Sequence, residues 1–155
     1  RSLQTHLDIR DKQYRELVDN ASDLIYELDH AGQFSFVNNM MEVSTGYARA
    51  ELLTKYYAEL VCPEDAERVV SFYRNQVKDK KETTYLEFRI LTRSGNKLWI
   101  GQNVRMFFEE SGYVYRVASI SRNITDLKKT ERKLEESEKL YRLLATNSRN
   151  CCPAR

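Results

Sequence analysis

Cys62 is the residue whose position most suggests chemistry. It stands immediately before Pro63, and proline followed by Glu64 and Asp65 is typical of the first turn of a helix. A helix N-terminus lowers the pKa of a thiol and favours the reactive thiolate, but the two nearby carboxylates oppose that effect. Two interpretations stay open: a redox-sensing thiol or, as we favour, a small residue that occupies the N-cap position.

The other residues that commonly do chemistry are few and scattered. Cys62, Cys151 and Cys152 are too few and too unevenly spaced for a disulfide framework or a zinc site, which indicates free thiols in a reducing compartment. The two histidines, His6 and His30, are far apart in the sequence. Because the cysteines and histidines are so few and scattered, we expect no metal site. Because no motif pairs a nucleophile with a base, we expect no catalysis.

Composition limits the class of protein further. The chain has 155 residues, of which 41% are hydrophobic and 31% charged, enough for one domain with a flanking element. Acidic and basic residues are interspersed and the net charge is only +2, so we expect no nucleic-acid partner. No run of eighteen apolar residues and no leading apolar segment occurs, so we expect no membrane contact and a cytoplasmic location.

Hydrophobic periodicity predicts an antiparallel α+β domain in which two strands, then helices, then three strands follow a first helix. The predicted elements are a helix ending near Asn20, strands at about 24–29 and 34–37, a helix capped by Asn38 or Asn39 and closed by Gly46, a short helix over 51–57, a helix over 63–78, and strands at about 86–90, 98–106 and 113–122. Glu87 and Arg89, on one strand face, are either a functional ion pair or, as we favour, solvent-facing neighbours.

The last segment of the sequence predicts a helix with a thin apolar seam among charged residues. Its seam residues recur at heptad spacing, with Thr130 and Ser137 between them, and the first helix has a similar but sparser seam. Such a helix is marginal alone in water, so we expect two copies to pair. The predicted dimer seam consists of Leu7, Tyr14, Leu127, Leu134, Tyr141 and Leu144.

The two end segments also resemble each other at an offset of 127 residues. Tyr14 and Arg15 match Tyr141 and Arg142, and four further identities fall within residues 7–20 and 134–147. Chance similarity between two amphipathic helices is one explanation. The shared heptad phase favours the other, in which residues 134–150 begin a second copy of the same unit.

Six short stretches, in order, resemble the PAS family, specifically the PAS-plus-PAC type of bacterial sensor proteins. They are YRELV with LIYELD (14–18, 24–29), FVNN (36–39), GY with ELL (46–47, 51–53), CPED (62–65), EFR with SGN (87–89, 94–96) and RNITD (122–126). The sequence departs from the family at Ala48, where Ser or Thr is usual, at Cys62, where His is usual, and at Asn123, where Asp is usual.

The resemblance implies a PAS-like five-stranded antiparallel sheet with short helices and one long helix on one face. Amphipathic linker helices would flank it at 1–20 and 126–150, with the PAS domain at 21–125 and a tail of unassigned role at 151–155. It further implies a sensory or signal-relay module of a dimeric bacterial sensor such as a multi-PAS histidine kinase. Its partners would be a second copy and adjacent PAS or output domains. The predicted signal exit consists of Asn123, Ile124, Thr125 and Asp126.

The family holds its ligands, where it has any, between the sheet and the long helix. The corresponding residues here would either line a ligand pocket or simply fill the core, and the filled core is favoured. The candidates are Tyr57, Phe72, Tyr73, Phe88, Ile90, Ile100, Val104 and Ile120. Residues 64–78 lack the histidine of haem-binding relatives, and Cys62 lacks the setting of a flavin photoreceptor, so we expect no cofactor. A small-molecule receptor and a passive dimerisation spacer remain the alternative functions.

Overall fold

A computed structural model describes the backbone of residues 2–150 and the side chains of residues 8–147. The tail at 151–155 and the side chain of Leu7 lie outside the described residues. The elements are α1 (Ser2–Asn20), β1 (Leu24–Leu28), β2 (Phe34–Val37), α2 (Asn39–Thr45), α3 (Arg49–Leu52), α4 (Tyr57–Leu60), α5 (Pro63–Lys78), β3 (Thr83–Leu91), β4 (Lys97–Phe108), β5 (Val114–Asn123) and α6 (Thr125–Asn150). The chain divides into one compact unit that ends at Asn123 and a second that begins at Ile124.

The five strands form one antiparallel sheet in the order β2-β1-β5-β4-β3, which confirms the predicted α+β class. The first hairpin and the last strand are adjacent because β5 pairs with both β1 and β4. Phe88 lies opposite Ile100 and Val104 opposite Ser119, so these four side chains share one face.

That inner face carries the core, and helices α2 to α5 cover it. Strands β1, β3 and β4 each place alternate apolar residues inward, as the period of a half-buried strand requires. Met41 of α2, Leu52 of α3, Leu60 of α4 and Val69 of α5 are buried in the same cluster. The helices therefore bury the apolar surface that the sheet alone would expose.

Asn38 is the junction that fixes the first helices. Its side chain accepts the backbone N–H of Met41 at 3.2 Å, which caps α2, and of Ile25 at 3.1 Å. Its amide nitrogen donates to the carbonyls of Val18 and Asp23, both at 2.9 Å. Gly46 ends α2 with a left-handed backbone, φ 79°. The predicted caps are confirmed, with Asn38 rather than Asn39 as the N-cap.

Two helical predictions need correction. The short helix expected over 51–57 is replaced by α3 and α4, because the chain leaves the helical conformation between Leu52 and Tyr57. Tyr56 occupies the N-cap position of α4, and the Glu59 carboxylate accepts its backbone N–H at 2.7 Å. The apolar residues at helical spacing in 63–78 also predict that Val77 is buried, but Val77 is 40% exposed near the end of α5.

The second unit consists of one long helix. Helix α6 has 26 residues, and every described side chain from 129 to 147 is exposed. Surface ion pairs run along it, such as Arg132 with Glu136 at 3.7 Å. Among the described residues, no helix is both long and apolar enough to span a lipid bilayer.

Candidate functional site

A cavity of about 230 Å³ lies under one end of the sheet, between its inner face and helix α5. Strands β1, β4 and β5 form one wall, and Val70, Tyr73 and Val77 of α5 face it. The turn after β1 and Tyr57 at the start of α4 complete the lining. Most of this lining is apolar, which is typical of a site for a small organic molecule.

Polar side chains form a buried network at the deep wall of the cavity. Gln102 is at its centre and is 1% exposed. Its oxygen lies 2.9 Å from the Tyr26 hydroxyl and 2.8 Å from that of Ser121, while its nitrogen donates to the Tyr73 hydroxyl at 2.7 Å. Ser119 continues the network, with its hydroxyl 3.4 Å from that of Ser121. Because a buried polar group without a partner is costly, these bonds hold the side chains in fixed positions.

Burial keeps the tyrosines of this wall neutral. Desolvation raises the pKa of Tyr26 to about 12, against the opposing effect of hydrogen bonds from Ser119 and Gln102. Desolvation likewise raises the pKa of Tyr73 well above its ordinary value, and the pKa of Tyr57 less strongly. At neutral pH these hydroxyls therefore serve as hydrogen-bond donors and not as bases.

The mouth of the cavity carries charge that its deep wall lacks. Arg74 and His30, both exposed, line it together with Asp29. The Asp29 carboxylate already accepts the backbone N–H groups of Ala31 and Gln33, at 2.9 and 3.0 Å. A bound molecule would therefore contact ionic groups at the opening of the cavity and only neutral groups at its deep wall.

The opposite end of the inner face is packed, and only about 20 Å³ remains there. Its lining includes Phe34, Leu60, Phe88, Ile90 and Ile100, and Phe88 of β3 lies opposite Ile100 of β4. We call this region the packed end, and the region around the larger cavity, with Val70, Val77, Val104, Met106 and Val117, the cavity end.

A carboxylate–guanidinium pair closes the packed end. The Arg89 side chain donates to both oxygens of Asp65, at 2.9 and 3.0 Å, and its backbone N–H donates to the same carboxylate at 2.9 Å. These bonds hold the pKa of Asp65 below its ordinary value. Because Arg89 pairs with Asp65, the sequence-based picture of Glu87 and Arg89 as mere strand neighbours is incomplete. The pair joins the start of α5 to β3.

Seven of the eight predicted pocket residues separate into three groups. Tyr57, Tyr73 and Val104 line the larger cavity. Phe88, Ile90 and Ile100 line the small void of the packed end, as Tyr57 also does. Phe72 packs against the core and lines neither space.

Ile120 was expected in the pocket and lies instead on the outer face of the sheet, 51% exposed. The reason is the alternation of β5, in which Val117, Ser119 and Ser121 point inward and leave Ile120 pointing outward. Ser119 and Ser121 point inward and form hydrogen bonds in the Gln102 network. Polar side chains therefore occupy the inward face of β5, where the hydrophobic pattern predicts Ile120.

Comparison with known proteins identifies this architecture. A sequence model described as the PAS fold matches residues 12–122. The chain belongs to the PAS family. Its architecture also matches three solved structures, each a likeness of fold.

The first solved structure is the PAS domain of a protein from Colwellia psychrerythraea, at 24% identity and a TM-score of 0.66 over 74% of this chain and 97% of that one. The second is a sensory box histidine kinase/response regulator from Burkholderia thailandensis E264, at 24% identity and a TM-score of 0.69 over 84% of this chain and 98% of that one. The third is the N-terminal domain of a diguanylate cyclase with PAS/PAC sensor from Marinobacter aquaeolei, at 22% identity and a TM-score of 0.59 over 66% and 95%.

Cys62 of this PAS unit is fully buried and free, and it makes no side-chain cap bond to α5. Desolvation raises the pKa of its thiol, and Glu64 adds to that rise. A buried thiol with a raised pKa has little thiolate, so the geometry favours a structural residue over a redox sensor.

The predicted signal exit spans the junction between the PAS sheet and α6. Strand β5 ends at Asn123, Ile124 separates the two elements, and α6 begins at Thr125. The backbone N–H of Lys128 bonds to the carbonyl of Ile124 at 2.9 Å and closes the first turn. Asp126 places an acid in that turn, which suits the positive end of the helix dipole.

Sequence reasoning missed the residues of the polar network. Gln102 lies between Ile100 and Val104 on the inward face of β4, a polar residue in an apolar row. That interruption was the available signal for a buried network. Ser119 and Ser121 repeat it on β5, but alternation alone does not say which face of β5 is inner.

Proposed function

We propose that this chain is a sensory PAS module of a dimeric bacterial signalling protein, and that a packing change at its sheet alters the pairing of α6. The module itself performs no catalysis, and its output domain is a separate part of the full-length protein, such as a histidine kinase. A cytoplasmic location is part of the proposal, in keeping with the free thiol of Cys62.

The observation that carries this proposal is the unpartnered seam of α6. Leu127, Leu134, Tyr141 and Leu144 recur at heptad spacing and are 55–74% exposed. The helix is about 40 Å long at 1.5 Å per residue, with an apolar seam too exposed to be stable alone. Pairing of two α6 helices along this seam would bury it, which supports a homodimer.

The short junction supports a relay. Only Ile124 separates β5 from α6, so the chain offers little slack between the sheet and the helix. In the relay, Asn123, Ile124, Thr125 and Asp126 would carry a shift of β5 into α6. Couplings of about 1–3 kcal/mol are typical of such switches and suffice to bias two helix arrangements.

The repeat supports adjacent PAS domains. In α1, Val18 is buried and its carbonyl accepts a hydrogen bond from Asn38. At the offset of 127, its counterpart Ala145 is exposed on α6. Residues 134–147 would then serve as the first helix of a following PAS unit, whose own asparagine would bond to that carbonyl.

The relay is tested by inserting one residue between Leu127 and Leu134 in the intact protein and measuring regulated output. One residue rotates the downstream seam by about 100°, so we expect regulation to be lost or inverted. A seven-residue insertion at the same place is the control, because it restores the heptad phase. Unchanged regulation after the single insertion would contradict the relay.

The dimer is tested separately on this chain by sedimentation equilibrium. Leu144→Glu places a charge in the seam, and we expect it to weaken the dimer by at least tenfold. Leu143→Glu is the matched control, since Leu143 is similarly exposed but lies beside the seam, where α1 has Glu16. Equal weakening by both variants, or a monomeric parent chain, would contradict pairing along this seam.

A receptor function is the second candidate, and the cavity is the observation that favours it. A ligand held between β4, β5 and α5 would touch the strand that leads to α6, so the receptor and relay functions are compatible. A passive spacer would need no such cavity.

A further inference from the structure

The polar network at the deep wall has more protons than hydrogen bonds among its own side chains. Gln102 carries two amide protons, and Tyr26, Tyr73, Ser119 and Ser121 carry one hydroxyl proton each. Gln102 bonds to Tyr26, Tyr73 and Ser121, and these three bonds use three protons. The single Ser119 proton serves either Ser121 or Tyr26. With the Gln102 amide oriented as in these bonds, two protons are left without an acceptor inside the network, the second amide proton of Gln102 and the hydroxyl proton of Tyr73.

The surplus protons belong to side chains that border the cavity. Gln102, Tyr26 and Tyr73 all line it, and each is at least 94% buried. Buried donors take an acceptor wherever one can reach them, from solvent or from a guest. The wall is thus arranged to bind an oxygen atom that accepts hydrogen bonds and donates none.

The remaining lining sets the size and polarity of the rest of the guest. An engineered apolar cavity of about 150 Å³ in another protein holds benzene, so about 230 Å³ holds a ring with two or three further heavy atoms. Valine and methionine side chains form most of the remaining surface. They are Val70, Val77, Val104, Met106, Val114 and Val117.

Charge favours a neutral guest. A carboxylate at the deep wall would be removed from water without a cation beside it, because Arg74, the cationic residue of the lining, lies at the exposed mouth. The Asp29 carboxylate at the same mouth would repel an anion. A ketone, ester or amide oxygen meets the surplus protons without either penalty.

We propose that the cavity binds a small, neutral carbonyl compound, with its oxygen at Tyr73 and Gln102 and its apolar body against the valines. The inference deepens the receptor candidate and rests on it for biological meaning. Binding itself does not depend on the relay or on the dimer.

The test compares acetophenone with ethylbenzene, which has almost the same shape but lacks the oxygen. The whole chain is titrated with each compound, and its backbone and Gln102 side-chain amide resonances are followed by nuclear magnetic resonance. We expect acetophenone to bind about five- to tenfold more tightly, the effect of one or two neutral hydrogen bonds, and to shift the Gln102 amide signals. Benzoate, the anionic counterpart, should bind more weakly than acetophenone.

Two variants locate the site. Tyr73→Phe removes one donor and should reduce the preference for acetophenone over ethylbenzene by severalfold. Val77→Trp fills the half-exposed mouth and should abolish binding of both compounds, while the matched control Val43→Trp, on exposed α2 surface, should not. Val77 is 40% exposed, so its replacement tests the site even where Tyr73→Phe fails to fold.

Three results would overturn the inference. Equal affinity for acetophenone and ethylbenzene would show that the surplus protons do not select the guest. Tighter binding of benzoate would assign the cavity to acids. No binding of any compound up to its solubility limit would mean that the cavity holds water only. None of these results bears on the insertion test, so failure of the ligand class and failure of the relay are distinguishable.

Discussion

The packed end and the cavity end are two parts of one interior, and strands β1, β4 and β5 border both. At the packed end, Phe88 and Ile100 face each other across two strands and leave about 20 Å³. At the cavity end, Val104 and Val117 of β4 and β5 leave about 230 Å³. The difference lies in side-chain size, since aromatic and larger aliphatic residues fill one half and valines line the other.

This contrast indicates that the packed end of the PAS unit serves stability and the cavity end serves binding. The packed end is closed by the Asp65–Arg89 pair and is nearly filled, so we expect it to contribute most to stability. The cavity end has fewer contacts and a polar wall with protons to donate, so it is suited to binding. Substitutions at the two ends should therefore have unequal effects on stability.

The largest loss of stability is expected from Phe88→Ala. Phe88 is 2% exposed and lies at the centre of the packed end, so its removal leaves a large void. We expect the free energy of unfolding to fall by about 3–5 kcal/mol in urea denaturation. Tyr115→Ala, at a 51% exposed aromatic residue, is the control and should change it by less than about 1 kcal/mol. A similar loss for both would place the main core elsewhere.

Asp65→Asn should have the next largest effect. We expect the free energy of unfolding to fall by about 2 kcal/mol at neutral pH, because the variant loses the negative charge that binds Arg89. The loss depends on pH. The Arg89 hydrogen bonds lower the pKa of Asp65 below its ordinary 3.8, so this stabilisation is full above pH 4 and disappears as pH falls through the lowered pKa.

Urea denaturation of the parent chain and of Asp65→Asn between pH 7 and pH 2 checks this dependence. The difference between the two should shrink as the solution becomes acidic. Glu110→Gln, at an exposed turn, should show no such convergence. A constant difference down to pH 2 would mean that the ionised carboxylate does not stabilise the packed end.

The most direct comparison uses the same substitution at both kinds of position. Val37→Ala removes a side chain that is fully buried in well-packed core, and Val104→Ala removes one that borders the cavity. We expect Val37→Ala to lower the free energy of unfolding, measured by urea denaturation, by about 1 kcal/mol more than Val104→Ala does. The reason is that the methyl groups of Val37 have more packed neighbours. Equal losses would show that the cavity end is as well packed in solution as the rest.

Local rules predicted much of this fold from sequence. The alternation of β3 and β4, the caps at Asn38 and Gly46 and the proline that begins α5 each depend on residues within a few positions. The prediction that Ile120 lines the pocket was wrong. Which face of β5 points inward depends on the register of β5 with β4, and the hydrophobicity of β5 alone does not determine it. The cavity could not be predicted from the sequence either, because an unfilled volume depends on how side chains from several elements pack together.

The central claim is that the cavity and α6 are coupled. It is tested by measuring the dimer dissociation constant of this chain by sedimentation equilibrium, with and without acetophenone at a concentration that fills the cavity. Coupling of ordinary strength predicts a shift of at least about fivefold in the parent chain and none in Val77→Trp. An unchanged dissociation constant, with occupancy confirmed by the Gln102 amide signals, would contradict the account.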